Sequence, residues 1–245
     1  MIRKGPSDRR APAGGPPLRA VVTDVDGTLT DAGRRLDPLA IDAVRRVEDA
    51  GFPVLLATGN VLPIALALYR SLGLSGPIVA ENGGLLYRTR RDGRPVVERL
   101  ADPTGPRAAL RTLRRAGVPV RRLFTDRWRE TEVALEPDVP VARLKRVLGS
   151  SPVVVESTGY AIHLMQSGTG KRPAIERALG YVGLTLGECV VAGDGDNDVG
   201  MLGAAGFGVS FSSASPRARR AARYVARSGY SRGFVEGLKA SGILR

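Results

Sequence analysis

Short apolar runs alternate with helix-length segments along this chain, and several runs stop at a glycine beside acidic or hydroxyl side chains. The first is Val21-Val22-Thr23-Asp24-Val25-Asp26-Gly27-Thr28-Leu29-Thr30, where Val21 and Val22 predict a buried strand and Gly27 its end. Asp37 is placed to cap a helix from Pro38 to about Ala50, with proline at the first helical position and Ile41, Val44 and Val47 at helical spacing. Residues 53–57 form a second apolar run, ending in Thr58-Gly59-Asn60. A helix from about Val61 to Leu72 comes next, closed by Gly73. Pro77-Ile78-Val79-Ala80 is a third run, ending in Glu81-Asn82-Gly83-Gly84. Such strand–helix repeats predict an α/β fold around a parallel sheet with right-handed crossovers.

The middle of the chain differs. Short strand candidates at 132–135 and 152–155 are mixed with arginine-rich helix candidates near 106–116 and 139–148, and turn signals such as Asp92-Gly93 interrupt them. Residues 87–159 are therefore expected to form a small inserted α+β domain. The parallel pattern then resumes, with a helix over about 172–181, the run Cys189-Val190-Val191-Ala192, a loop through Asp198, a short helix and a strand over 206–211. Residues 18–86 and 160–245 are expected to form the core. Residues 1–17, basic and rich in Pro and Gly, read as a disordered leader without the apolar stretch of a signal peptide.

The net charge of +13 invites nucleic acid as a ligand, but nearly all of it is arginine, with only four lysines, and aromatic residues are 5% of the chain, few for base stacking. Zinc-finger spacing is absent. Nucleic acid is not the expected partner; a basic surface equally attracts small anions such as phosphate esters. The single cysteine, Cys189, excludes an intramolecular disulfide and fits a cytoplasmic protein. No stretch approaches the roughly 20 apolar residues of a membrane span.

Side chains two apart on a strand share a face, so Asp24 and Asp26 can converge at the strand's carboxyl end, where open α/β sheets place ligands. A carboxylate pair there can hold a hard cation such as Mg²⁺, or one carboxylate can attack phosphorus; the plainer reading is an Asp-Gly turn. Thr58-Gly59 ends the second run, and the loop Gly193-Asp194-Gly195-Asp196-Asn197-Asp198 ends a later one, just after a helix that opens near Lys171. Singly, these are a helix-start turn, an acidic loop without the glutamate of a calcium-binding loop, and a solvated lysine. In a parallel sheet all of them lie along one edge. His163, the sole histidine, excludes a multi-histidine metal site and is expected to be structural.

Those residues, in that order, resemble the haloacid dehalogenase-like (HAD) phosphatases. Asp24-Val25-Asp26-Gly27-Thr28-Leu29-Thr30 and Gly193-Asp194-Gly195-Asp196-Asn197-Asp198 carry the likeness, with Thr58-Gly59 and Lys171 between them. The insertion between Gly59 and Lys171 resembles the type 2 cap of the Cof-like subfamily. Thr58-Gly59-Asn60-Val61-Leu62-Pro63 and Glu81-Asn82-Gly83-Gly84 look like the archaeal phosphoglycolate phosphatases. The resemblance implies a Rossmann-like hydrolase core with a cap and a Mg²⁺-dependent phosphomonoesterase acting through an aspartyl-phosphate. Asp24 would be the nucleophile and Asp26 the acid and base. Thr58, Gly59 and Lys171 would bind phosphate. Mg²⁺ would sit on Asp24, the Asp26 carbonyl, Asp194 and Asp198. Asn197 would orient Lys171 or the metal shell, and Asp196 would cap the next helix. The implied partner is a small phosphorylated metabolite, with a homodimer as a further expectation. A Cof-type sugar-phosphate phosphatase or phosphotransferase, and a basic nucleic-acid-binding protein on the same fold, are the alternatives. A small dianionic substrate would call for a basic cap residue, and the sequence does not choose between Arg127 and Arg129.

Overall fold

The computed structural model describes residues 16–244, so most of the expected leader lies outside the described residues. Eleven strands among them form two sheets. The first four-residue runs become fully buried strands, β1 (Ala20–Thr23) and β2 (Val54–Ala57), because apolar side chains on both faces suit a parallel sheet covered on both sides. Between them lies α1 (Pro38–Asp49), whose N-cap Asp37 accepts the Leu39 amide and whose Ala40, Ala43, Val44 and Val47 are buried. Next come α2 (Leu62–Leu72), ended by Gly73 in a left-handed conformation, and β3 (Ile78–Ala80). A hairpin is formed by β4 (Leu85–Thr89) and β5 (Pro95–Arg99).

The second unit holds α3 (Thr104–Arg115), β6 (Val133–Leu135), α4 (Val141–Leu148), β7 (Val153–Ser157) and β8 (Ile162–Gln166). The chain then returns through α5 (Lys171–Gly180), β9 (Cys189–Ala192), α6 (Val199–Gly203), β10 (Phe207–Phe211), α7 (Pro216–Ala221), β11 (Tyr224–Ala226) and α8 (Tyr230–Ala240). The large sheet runs β11-β10-β9-β1-β2-β3-β4-β5, parallel up to β3 and antiparallel beyond it. The small sheet runs β6-β8-β7, all antiparallel.

This strand order corrects the expected division at 87–159. β4 and β5 extend the large sheet, since Leu85 and Leu86 pack into the main core beside β3. β8, expected in the core, sits in the small sheet, where Ile162 and Leu164 join Val133, Leu135, Leu113 and Leu144 in a separate apolar cluster. The inserted unit therefore lies between β5 and α5. Helices α3 and α4 cover one face of its sheet. Period-two alternation turns Glu132, Ala134 and His163 to the other face, towards the large sheet's carboxyl edge.

That edge is fixed by close backbone approaches. Gly83 has φ +103°, and a Cβ there would lie 2.1 Å from the Gly170 carbonyl oxygen, so the 81–84 turn can abut the start of α5 only as glycine. No helix among the described residues is long and apolar enough to cross a membrane.

Candidate active site

Asp24 comes directly after the last residue of β1, its amide still donating to the Ala192 carbonyl of β9 at 3.0 Å. The side chain is thus held at the seam between two central strands and is 5% exposed. Lys171, the first residue of α5, reaches the same seam. Its Nζ donates to Asp24 Oδ1 at 2.6 Å and to Asp198 Oδ1 at 2.7 Å, and the residue is 2% exposed. Asp198 Oδ2 accepts the amides of Asp194 (3.0 Å) and Gly195 (2.9 Å), which locks the 193–198 loop. Carboxylate oxygens of Asp24, Asp194 and Asp198 all lie within 4.8 Å of one another. Gly27 makes room for them: a Cβ there would stand 2.2 Å from Asp194 Oδ2, and φ is +81°.

Three carboxylates face one buried ammonium, and their titration reflects the surplus. Burial, against Lys171 and reinforced by Asp198, Asp194 and Asp26, holds Asp24 well above an ordinary aspartate. Burial and then Asp198 push Asp194 up to about 7. Burial opposes the Lys171 charge, but Asp198 and Asp24 outweigh it and keep the amine protonated beyond the usual lysine range. Hard oxygen donors with uncompensated negative charge fit a divalent cation such as Mg²⁺ or Ca²⁺. Asp24 and Asp194 have oxygens to offer one, whereas both Asp198 oxygens already accept bonds.

Asp26 stands apart from this cluster. Its side chain is exposed and Oδ2 accepts from Asn60 Nδ2 at 2.7 Å. Gly59 and Asn60 line a cavity of about 360 Å³ with Asp24, Asp26 and Asp194. Thr58 is fully buried, its Oγ1 accepting the Asn60 amide at 3.0 Å, so it shapes the turn from within. Of the two roles expected of Asn197, that of orienting Lys171 fails; its Nδ2 donates to Asn82 Oδ1 at 3.0 Å. Asp196 does not cap α6; it accepts from Ser215 Oγ at 2.6 Å and Arg217 Nη1 at 3.1 Å, tying the loop to α7.

The cavity's other wall is the inserted unit, and here sequence reasoning missed a network. Glu132, 4% exposed, receives Arg129 Nη1, His163 Nδ1 (3.0 Å) and Asn82 Nδ2 (3.1 Å). Burial alone would raise its carboxyl, but His163 and then Arg129 hold it below its ordinary value. A signal was present: Glu132 and His163 alternate with Val133, Leu135, Ile162 and Leu164, whose faces are apolar. Arg129 lines the cavity, whereas Arg127 lies over the exposed Phe124 ring, 4.1 Å from its centroid. Arg34, beyond β1, covers the Tyr160 ring of the inserted unit at 4.4 Å, closing part of the mouth.

Comparison with known proteins places this geometry among relatives. A family model described as haloacid dehalogenase-like hydrolase matches residues 21–125 and 134–238. A protein of Methanothermobacter thermautotrophicus named phosphoglycolate phosphatase is 36% identical over 223 residues, covering 91% of this chain and 98% of its own length. One of the same name from Halorubrum lacusprofundi is 38% identical over 223 residues, covering 89% and 93%. A Thermoplasma acidophilum crystal structure superposes with a TM-score of 0.83 at 28% identity, over 93% of this chain and 100% of that one. A sugar phosphatase of HAD subclass IIB matches in fold, with a TM-score of 0.76 at 20% identity, over 93% of this chain and all of its own.

Proposed function

The chain belongs to the haloacid dehalogenase-like hydrolases, and from that premise we propose that it is a Mg²⁺-dependent phosphatase that cleaves 2-phosphoglycolate to glycolate and phosphate. The observation that carries the reading is the Lys171 ammonium bridging Asp24 and Asp198 beside Asp194, at the carboxyl ends of β1 and β9. The relatives named phosphoglycolate phosphatase support the choice of substrate. Asp24 and Asp194, with Asp198 behind them and the Asp26 main chain beside them, would hold the ion. It supplies the positive charge that lets a phosphate dianion approach a carboxylate.

Lys171 fixes the Asp24 carboxylate through Oδ1, which aims it for attack on phosphorus. Lys171 opposes the burial that raises Asp24 and the ion would oppose it further, and a carboxylate so ionised needs no base to act as a nucleophile. As the Asp24–phosphorus bond forms and the ester bond breaks, Asp26 gives its proton to the departing alkoxide. In the second step water attacks phosphorus, Asp26 takes the water's proton, and phosphate leaves Asp24. Asn60 holds Asp26 Oδ2 and so leaves Oδ1 for the proton. The Gly59 amide and Lys171 steady the transferring oxygens.

A panel of phosphate monoesters compared by kcat/KM, with Mg²⁺ and with chelator, tests the reading. 2-Phosphoglycolate should lead the panel and chelation should abolish turnover. Asp24→Asn should remove at least about 10⁴-fold of kcat without loss of the folded state by circular dichroism; full activity in that variant would exclude the mechanism.

A further inference from the structure

The cap wall of the cavity carries a cation whose bonding is incomplete. Arg129 has a side chain 5% exposed and lines the cavity with His163, Asn60 and Asp26. Among the described residues, both hydrogen bonds of its side chain run through Nη1, one to Glu132 and one to the Gly59 carbonyl at 2.9 Å. Its Nε is buried and has no partner among the described residues. A buried N–H without an acceptor is costly, and the Nε–Nη2 edge of a guanidinium is a fork that matches the two oxygens of a carboxylate.

We infer that Arg129 is the specificity-determining residue of the cap, and that it takes a carboxylate carried on the alcohol part of the substrate. The inference rests on the phosphatase reading above. The negative floor of the cavity, Asp24, Asp26 and Asp194, leaves the cap wall as the place for a second anionic group. Glu132 and Asn82 hold the guanidinium and the His163 ring in position, and Asn82 in turn accepts from Asn197 of the metal-side loop. Arg129 touches the carbonyl of Gly59, the loop assigned to the phosphate. The two anionic groups of the substrate must therefore be separated by a short link of only a few bonds. Arg127, spent on Phe124 and Trp128, is not so placed.

The test uses the full chain with Mg²⁺ and two esters, 2-phosphoglycolate and its carboxylate-free analogue 2-hydroxyethyl phosphate. The readout is the ratio of their kcat/KM values. Arg129→Met should lower that ratio about 30-fold or more, the worth of a charge-assisted hydrogen bond. If Glu132, left without its cation, prevents folding, the Arg129→Met/Glu132→Gln pair removes both charges and is read in the same way. Rates that fall together for both esters, with the ratio kept, would make Arg129 a structural prop and overturn the inference while leaving the phosphatase reading intact. A ratio near one in the unaltered protein would sink the phosphoglycolate reading itself, and the inference with it.

Discussion

Asp194 is the residue whose chemistry depends most on its surroundings. In the metal-free protein it titrates near 7 because burial and Asp198 disfavour its charge. A carboxyl raised in the folded state binds a proton that the unfolded chain releases near 4, so metal-free stability falls as pH rises from about 4 through 7. A divalent ion reverses that trend by favouring the ionised form, and its binding releases the proton. The stabilisation by Mg²⁺ should therefore be larger at pH 8 than at pH 6, read as the Tm difference between magnesium and chelator. At Asp26 the prediction is kinetic. Asp26→Asn should slow turnover most for alkyl esters, whose poor leaving groups need a proton, and least for aryl esters. Equal rates with wild type on alkyl phosphates would remove it from the acid role.

Among the elements, the short turn after β3 does more than connect strands. Glu81 and Asn82 both have positive φ, near +51° and +52°, uncommon for residues other than glycine. Glu81 accepts the amides of Glu130 and Thr131, and the Thr131 hydroxyl at 2.6 Å, so a core turn grips the cap segment that carries Arg129 and Glu132. Burial raises the Glu81 carboxyl, offset only in part by those donors. Glu81→Ala would strand three donors and should cost about 3 kcal/mol, measured by urea unfolding. Glu81→Gln keeps an acceptor and should cost less. An unchanged midpoint in the alanine variant would show that the grip adds nothing to the fold.

Across the whole sequence the formal charge is +13, whereas the cavity has an acidic floor. On the phosphatase reading, a basic surface would draw phosphate esters towards the protein, where Lys171 and the ion would receive them. Steering of this kind is screened by salt, with a Debye length of about 10 Å at 0.1 M. A tenfold rise in ionic strength from about 0.05 M should lower kcat/KM several-fold and kcat much less. Equal falls in both would place the salt effect in the chemistry rather than in encounter.

Local spacing alone makes the sheet and its reactive edge legible. Runs such as Val21-Val22 and Cys189-Val190-Val191-Ala192 can be buried on both faces only in a covered parallel sheet, and the polar residues at the end of each run must then lie on one edge. Covalent order thus determined that Asp24, Gly59 and Asp194 share that edge. Tertiary structure alone decided which sheet β4, β5 and β8 join, because edge pairing depends on which apolar faces find each other. It alone chose Arg129 over Arg127 and bound His163 to a glutamate 31 residues away. A strand's own residues fix its two faces, but the partner opposite each face is set by register between segments far apart in the chain, and sequence spacing does not encode that register.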